Sequence, residues 1–203
     1  MVRQRPPERS ARIAGRRLSG VSMRKSLLAL PVILSLTTTL GACASGPVGN
    51  PNSPQPAKAV ELDRYLGKWY EVARYDMRFQ KGCEGVTAEY SRRPDGLIRV
   101  FNTCRQDAVD GPVRTAEGKA KVVDTATNAK LKVSFFGPFF GDYWVMDHAD
   151  DYSWAIVGEG SGRYLWLLSR QPPSDADRVA LTARAKALGY DVGLLRPTKQ
   201  PPG

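Results

Sequence analysis

At 203 residues the chain has room for one good-sized domain and little space for a second. Its formal charge of +10 suggests a polyanionic partner, but eight Lys and Arg against one acid, Glu8, fall within residues 1–42, leaving 22 basic against 19 acidic residues from Cys43 onward. That near balance removes the case for a nucleic-acid surface, and a single histidine, His148, excludes a histidine-based metal cluster within one chain.

The first recognisable element is a leader. Arg24 and Lys25 precede Leu27 to Leu40, "LLALPVILSLTTTL", a mainly apolar run of 14 residues. A membrane-spanning helix needs about 20, so the run reads as the core of an export signal. Translation is expected to start at Met23, because "MRKSLLAL" opens an ordinary signal and residues 1–22 form a basic extension. The run closes on Leu40-Gly41-Ala42-Cys43, which resembles a bacterial lipobox. That resemblance implies removal of residues 1–42 and acylation of Cys43; two or more acyl chains make a stable anchor. In such lipoproteins Asp after the cysteine signals inner-membrane retention, so Ala44 favours the outer membrane.

Residues 43–60 then read as a lipidated cysteine and its tether: Ser45 to Lys58, "SGPVGNPNSPQPAK", is proline-rich and without apolar periodicity. From residue 61 to 203 a single domain is expected. Strand-like runs lie at about 67–76, 85–92, 97–104, 113–123, 129–136, 142–148, 153–158 and 163–170. Turn signals such as Pro94-Asp95-Gly96, Asp110-Gly111-Pro112 and Gly160-Ser161-Gly162 separate them. Eight sequential strands with short connections predict an up-and-down antiparallel sandwich or barrel.

Folding about Pro94-Asp95-Gly96 brings Cys83 and Cys104 together. Exported proteins mature where disulfides persist, so a bridge is expected here rather than two free thiols, and it would add about 3 kcal/mol. A helix follows, capped by Ser174 with Asp177 three residues on and stopped by Gly189; Val179, Ala183 and Ala187, with Ala180 beside them, form its expected packing face. The first strand has no cleanly apolar face, since Trp69, Glu71, Ala73 and Tyr75 oppose Tyr70, Val72, Arg74 and Asp76. Either a bulge or a buried, hydrogen-bonded Glu71 would account for it.

Gly67-Lys68-Trp69, Asp151-Tyr152 and Arg170 in "LWLLSRQPP" resemble the three sequence signatures of lipocalins. The runs "YLGKWYEVARYD", "KVSFFGPFFGDYWV", "DDYSWAIVG" and "YLWLLSR" resemble bacterial outer-membrane lipocalins in particular, over about Leu62 to Arg196. The resemblance implies an all-β fold: an eight-stranded up-and-down antiparallel β-barrel with the C-terminal α-helix packed on its outside. Trp69 is large enough to close the barrel floor, Gly67 allows a tight turn beneath it, and Arg170 can lie over the indole.

Ligand contacts are then expected from inward faces: Leu131, Val133 and Phe135 on the fifth strand, Tyr143 on the sixth, and Trp166 and Leu168 on the eighth. The resemblance implies a protein that binds, and transports or stores, a fatty acid, a lysophospholipid or a similar amphiphile for envelope maintenance. Two other readings fit the pattern: a carrier of a pigment or haem-like compound, and a lipid-tethered structural barrel with a filled core. The four phenylalanines of "FFGPFFG", Phe135 to Gly141, either pack inward or stay exposed, where they would suit a membrane surface or a second copy in a homodimer. No nucleophile elbow, P-loop or dinucleotide fingerprint occurs, so neither catalysis nor a cofactor is expected. His148 is expected to be a solvated turn residue.

Overall fold

Alternating apolar and polar residues, broken by turn sequences, form eight consecutive antiparallel strands in the computed structural model, which describes residues 47–201. They are β1 Gly67–Tyr75, β2 Cys83–Arg92, β3 Ile98–Gln106, β4 Val113–Val122, β5 Lys130–Phe136, β6 Phe139–His148, β7 Trp154–Gly158 and β8 Leu165–Ser169. Each pairs with the next, and β1 pairs with both β8 and β2, closing the sheet into a barrel. All eight fall where alternation predicts them, with β6 starting three residues early because Phe136 and Phe139 pair across the Gly137-Pro138 turn. Cys43 and the leader lie outside the described residues.

Strands that alternate in direction put their connections at opposite ends. The β1–β2, β3–β4, β5–β6 and β7–β8 connections share the open end. At the other, the one-turn helix α1, Leu62–Tyr65, carries Tyr65 beneath the barrel beside Trp69, with ring centroids 5.2 Å apart. A disulfide joins Cys83 on β2 to Cys104 on β3, with 5.3 Å between their Cα atoms.

Helix α2, Asp175–Ala187, begins with the predicted capping box: Ser174 Oγ accepts from the Asp177 amide, and the Asp177 carboxylate accepts from the Ser174 amide. Its packing face differs from the expected one. Leu181 and Ala185 are buried against Ile156, Leu165, Leu167 and Met146 on the outside of the barrel, whereas Val179 is 71 % exposed. Leu181, Ala185 and Leu188 present a wider apolar surface than the small residues do, and burial follows area.

Both ends of the described chain are tied to the barrel. Where the composition suggests a free tether, the amides of Gly49 and Asn50 donate to the Gly162 carbonyl at the open end. The chain then runs down the outer wall, Ala57 bonding to Met146 and Val60 to Thr127 near the closed end. Beyond α2 a short ninth strand, β9 Leu195–Pro197, pairs with Ala73–Tyr75 of β1. Strands β1 and β2 pair only over Gly67–Tyr70, and above that the C-terminal residues fill their seam: Thr198 bonds to Val72, and Gly85 to Lys199.

Candidate functional site

The inward residues of the eight strands form one apolar cluster. Buried within it are Trp69, Ile98, Val100, Ala120, Val145 and Val157; Val133, Phe135, Tyr143 and Trp166 are only partly buried against it. Of the six residues expected to line a cavity, the structure brings Leu131, Val133, Phe135, Tyr143, Trp166 and Leu168 into this single cluster, Leu131 and Leu168 fully buried within it. Trp144 and Trp154 pack instead on the outer, helix-facing side.

The floor rests on Arg170. Its guanidinium carbon lies 3.8 Å from the Trp69 ring centroid, and its nitrogens donate to four carbonyl oxygens: Lys68 (3.0 Å), Tyr65 (3.1 Å), Tyr152 (3.3 Å) and Arg64. Gly67 has φ +95°, and a Cβ there would sit 3.3 Å from Arg170 Nη1. Trp69 Nε1 donates to Tyr65 O at 2.8 Å, so the fully buried indole leaves no polar atom unpaired.

Just above the floor three phenols meet. Tyr143 OH lies 2.7 Å from both Tyr65 OH and Tyr90 OH. Burial pushes all three well above the ordinary tyrosine range, Tyr90 up to about 12. The trio is therefore an uncharged polar spot in an apolar cup. Asn102 Oδ1, on the face of β3 shared by Ile98 and Val100, is a buried acceptor without a protein partner.

Both explanations for the first strand operate together. A bulge between Glu71 and Ala73 shifts the register, so that Val72, Ala73 and Tyr75 pack outward. Glu71 and Arg74 are buried and paired, Nη1 to Oε1, at 2.6 Å. Glu71 also accepts from Gln80 Nε2 and the Thr198 hydroxyl, both at 2.5 Å, while Arg74 donates to the carbonyls of Gln80 and Cys83. Gln80 Oε1 in turn accepts from Trp166 Nε1 at 3.1 Å, linking the network to the apolar lining. Sequence reasoning misses this network because strict alternation puts Glu71 and Arg74 on opposite faces; Tyr90, which alternates with Ala88, was accessible to the same parity rule.

His148 is not the solvated residue expected. It is 5 % exposed, stacks on Tyr152 with centroids 4.4 Å apart, and its two ring nitrogens face the carbonyls of Ala149 and Ala59 at 2.8 and 3.0 Å. The extra turn of chain over residues 57–60, bound to the closed end, covers it. Among the described residues no cluster of His, Cys, Asp and Glu could hold a metal ion.

Comparison with known proteins gives one answer. The family model of the lipocalin-like domain matches residues 60–200. The outer membrane lipoprotein Blc of Vibrio cholerae serotype O1 is 49 % identical over 129 residues, covering 63 % of this chain and 75 % of that one. The Escherichia coli K12 protein of the same name is 39 % identical over 173 residues, covering 85 % and 97 %. Among solved structures, insecticyanin from the tobacco hornworm Manduca sexta superposes with a TM-score of 0.57 at 18 % identity, over 78 % of this chain and 88 % of that one.

Proposed function

Because the chain belongs to the lipocalin family, whose members are binding and carrier proteins rather than enzymes, we propose that it is an outer-membrane lipoprotein, acylated at Cys43, whose barrel takes up a fatty acid, a lysophospholipid or a similar amphiphile. The two relatives named as outer membrane lipoproteins support the location. The observation that carries the ligand class is the single apolar cluster inside the barrel, whose partly buried members Val133, Phe135, Tyr143 and Trp166 stand above a sealed floor.

An acyl chain lying among these residues leaves water at about 0.8 kcal/mol per methylene, so ten methylenes supply roughly 8 kcal/mol before the costs of association. Association costs offset part of this gain, so binding stays reversible, as bringing lipid to or from the envelope requires. A polar head stays toward the mouth, where Gln80 and the Glu71–Arg74 pair lie.

The test is native mass spectrometry of the domain expressed from Ala44, followed by tryptophan fluorescence on titration with lysophospholipids and fatty acids. Copurifying lipid and a saturable change that Trp166→Phe largely removes are expected. A bound chromophore would point to a different cargo; an empty protein whose fluorescence ignores every lipid would remove the proposal.

A further inference from the structure

The two ends of the barrel differ in surface chemistry. At the open end Phe136 and Phe139 are 81 % and 79 % exposed on the β5–β6 hairpin, Phe79 68 % on the β1–β2 connection, and Val113 55 % at the start of β4. Three of the four open-end connections thus hold large apolar side chains in water, with the exposed cations Arg78, Lys81 and Arg114 and the acids Asp76, Asp107 and Asp110 beside them. The closed-end connections carry Asp95, Asp124, Asp150 and Asp151, and Val123 is their one exposed large aliphatic among the described residues.

The fourth open-end connection, β7–β8, is where the N-terminal segment arrives, since Gly162 accepts from the amides of Gly49 and Asn50. Five residues lie between Gly49 and Cys43, a span of six Cα steps, so the lipidated residue reaches at most about 22 Å from Gly49 even fully stretched. Strands β1 and β2, of nine and ten residues, rise about 3.3 Å per residue at a tilt of about 40° and make a wall roughly 25 Å tall, whereas β7 and β8, five residues each, span about 13 Å beside the attachment point. Leaving from the open end, acyl chains on Cys43 reach a bilayer at the mouth more directly than one under the closed end.

We propose that the barrel stands mouth-down on the membrane that anchors it, with the Phe79, Phe136, Phe139 and Val113 rim seated in the lipid interface. This inference rests on acylation of Cys43. Aromatic side chains suit the interface, where apolar area buries without displacing the headgroups. The arrangement gives an amphiphile a path between bilayer and cavity that never crosses bulk water.

The full acylated protein, reconstituted in phosphatidylethanolamine–phosphatidylglycerol vesicles, tests it. A single cysteine is introduced at the mouth (Pro138→Cys) or at the closed end (Thr125→Cys) and labelled with a fluorophore; Cys83 and Cys104 are already bridged. The mouth label is expected to be quenched strongly by nitroxide-bearing lipids and shielded from aqueous iodide, and the closed-end label the reverse. Phe136→Ser combined with Phe139→Ser changes only exposed residues and is expected to restore iodide access at the mouth while leaving the protein anchored. Equal or reversed quenching, or no effect of the double serine variant, overturns the orientation. A mouth label shielded from both quenchers, with Pro138→Cys crosslinking between chains, makes this rim an interface between copies and also overturns it. The intact mass is a separate readout: an unmodified Cys43 removes the anchor and the proposal with it.

Discussion

Arg170 does several jobs with one side chain, capping the Trp69 ring and supplying donors to four carbonyls from α1, the start of β1 and the β6–β7 turn. Arg170→Ala removes a cation–π contact worth about 0.5–2 kcal/mol and leaves those carbonyls short of donors, so a loss of about 2–4 kcal/mol is expected from the denaturant midpoint. Arg170→Lys is expected to recover only part of it, because an ammonium cannot reproduce the planar fork. The Glu71–Arg74 pair calls for a double-mutant cycle. Glu71→Gln strands a buried guanidinium and is expected to cost about 3–5 kcal/mol, whereas Glu71→Leu combined with Arg74→Met is expected to restore most of the stability. Gly67, Trp69 and Arg170 were legible as residues because each answers a steric demand that a short motif states. A bulge or a buried, bonded Glu71 was legible from the missing apolar face of β1, but its partners Arg74, Gln80 and Thr198 were not, since they carry no local signal.

Among the elements, α2 separates prediction from packing most clearly. Its ends were readable from Ser174, Asp177 and Gly189, because caps are local chemistry. Its buried face was not, because the choice between Val179 and Leu181 is made by the outer barrel surface, which no window of sequence contains. Leu181→Ala is accordingly expected to lower stability by about 2–5 kcal/mol and Val179→Ala to change it by less than about 0.5 kcal/mol, both measured by thermal or denaturant unfolding. The eight long strands repeat their alternation often enough to be seen. Strand β9 has three residues, one of them proline, and exists only because β1 offers it an unpaired edge above Tyr70. The strap over residues 49–60 was hidden for a similar reason: proline-rich composition signals extended backbone, and extended backbone can lie along a wall as well as hang free.

For the molecule as a whole, Tyr65, Tyr90 and Tyr143 couple α1, β2 and β6 through one hydroxyl cluster. Their pKa values are raised by burial, so the folded state holds its protons more tightly than the unfolded chain. The stability this brings is complete below about pH 10 and falls as pH climbs from there toward 12 and beyond. Alkaline unfolding, followed by tyrosinate absorbance, is expected to release these phenols cooperatively, and Tyr143→Phe to blunt the pH dependence. Reduction of Cys83–Cys104 is expected to cost about 3 kcal/mol, read as a lowered melting temperature. Barrel architecture and the pattern of its inward faces were thus open to a reader of the sequence, while the seam filled by the C-terminal residues was not. That seam also dictates the order in which the molecule can assemble. Thr198 meets Arg74 across 124 positions, and Asn50 meets Leu188 across 138. A chain emerging N-terminus first can pair β1 to β8 in order, but the edge of β1 above Tyr70 stays unmatched until the final residues arrive. The seam beside β1 is therefore the last part of the barrel that can be completed.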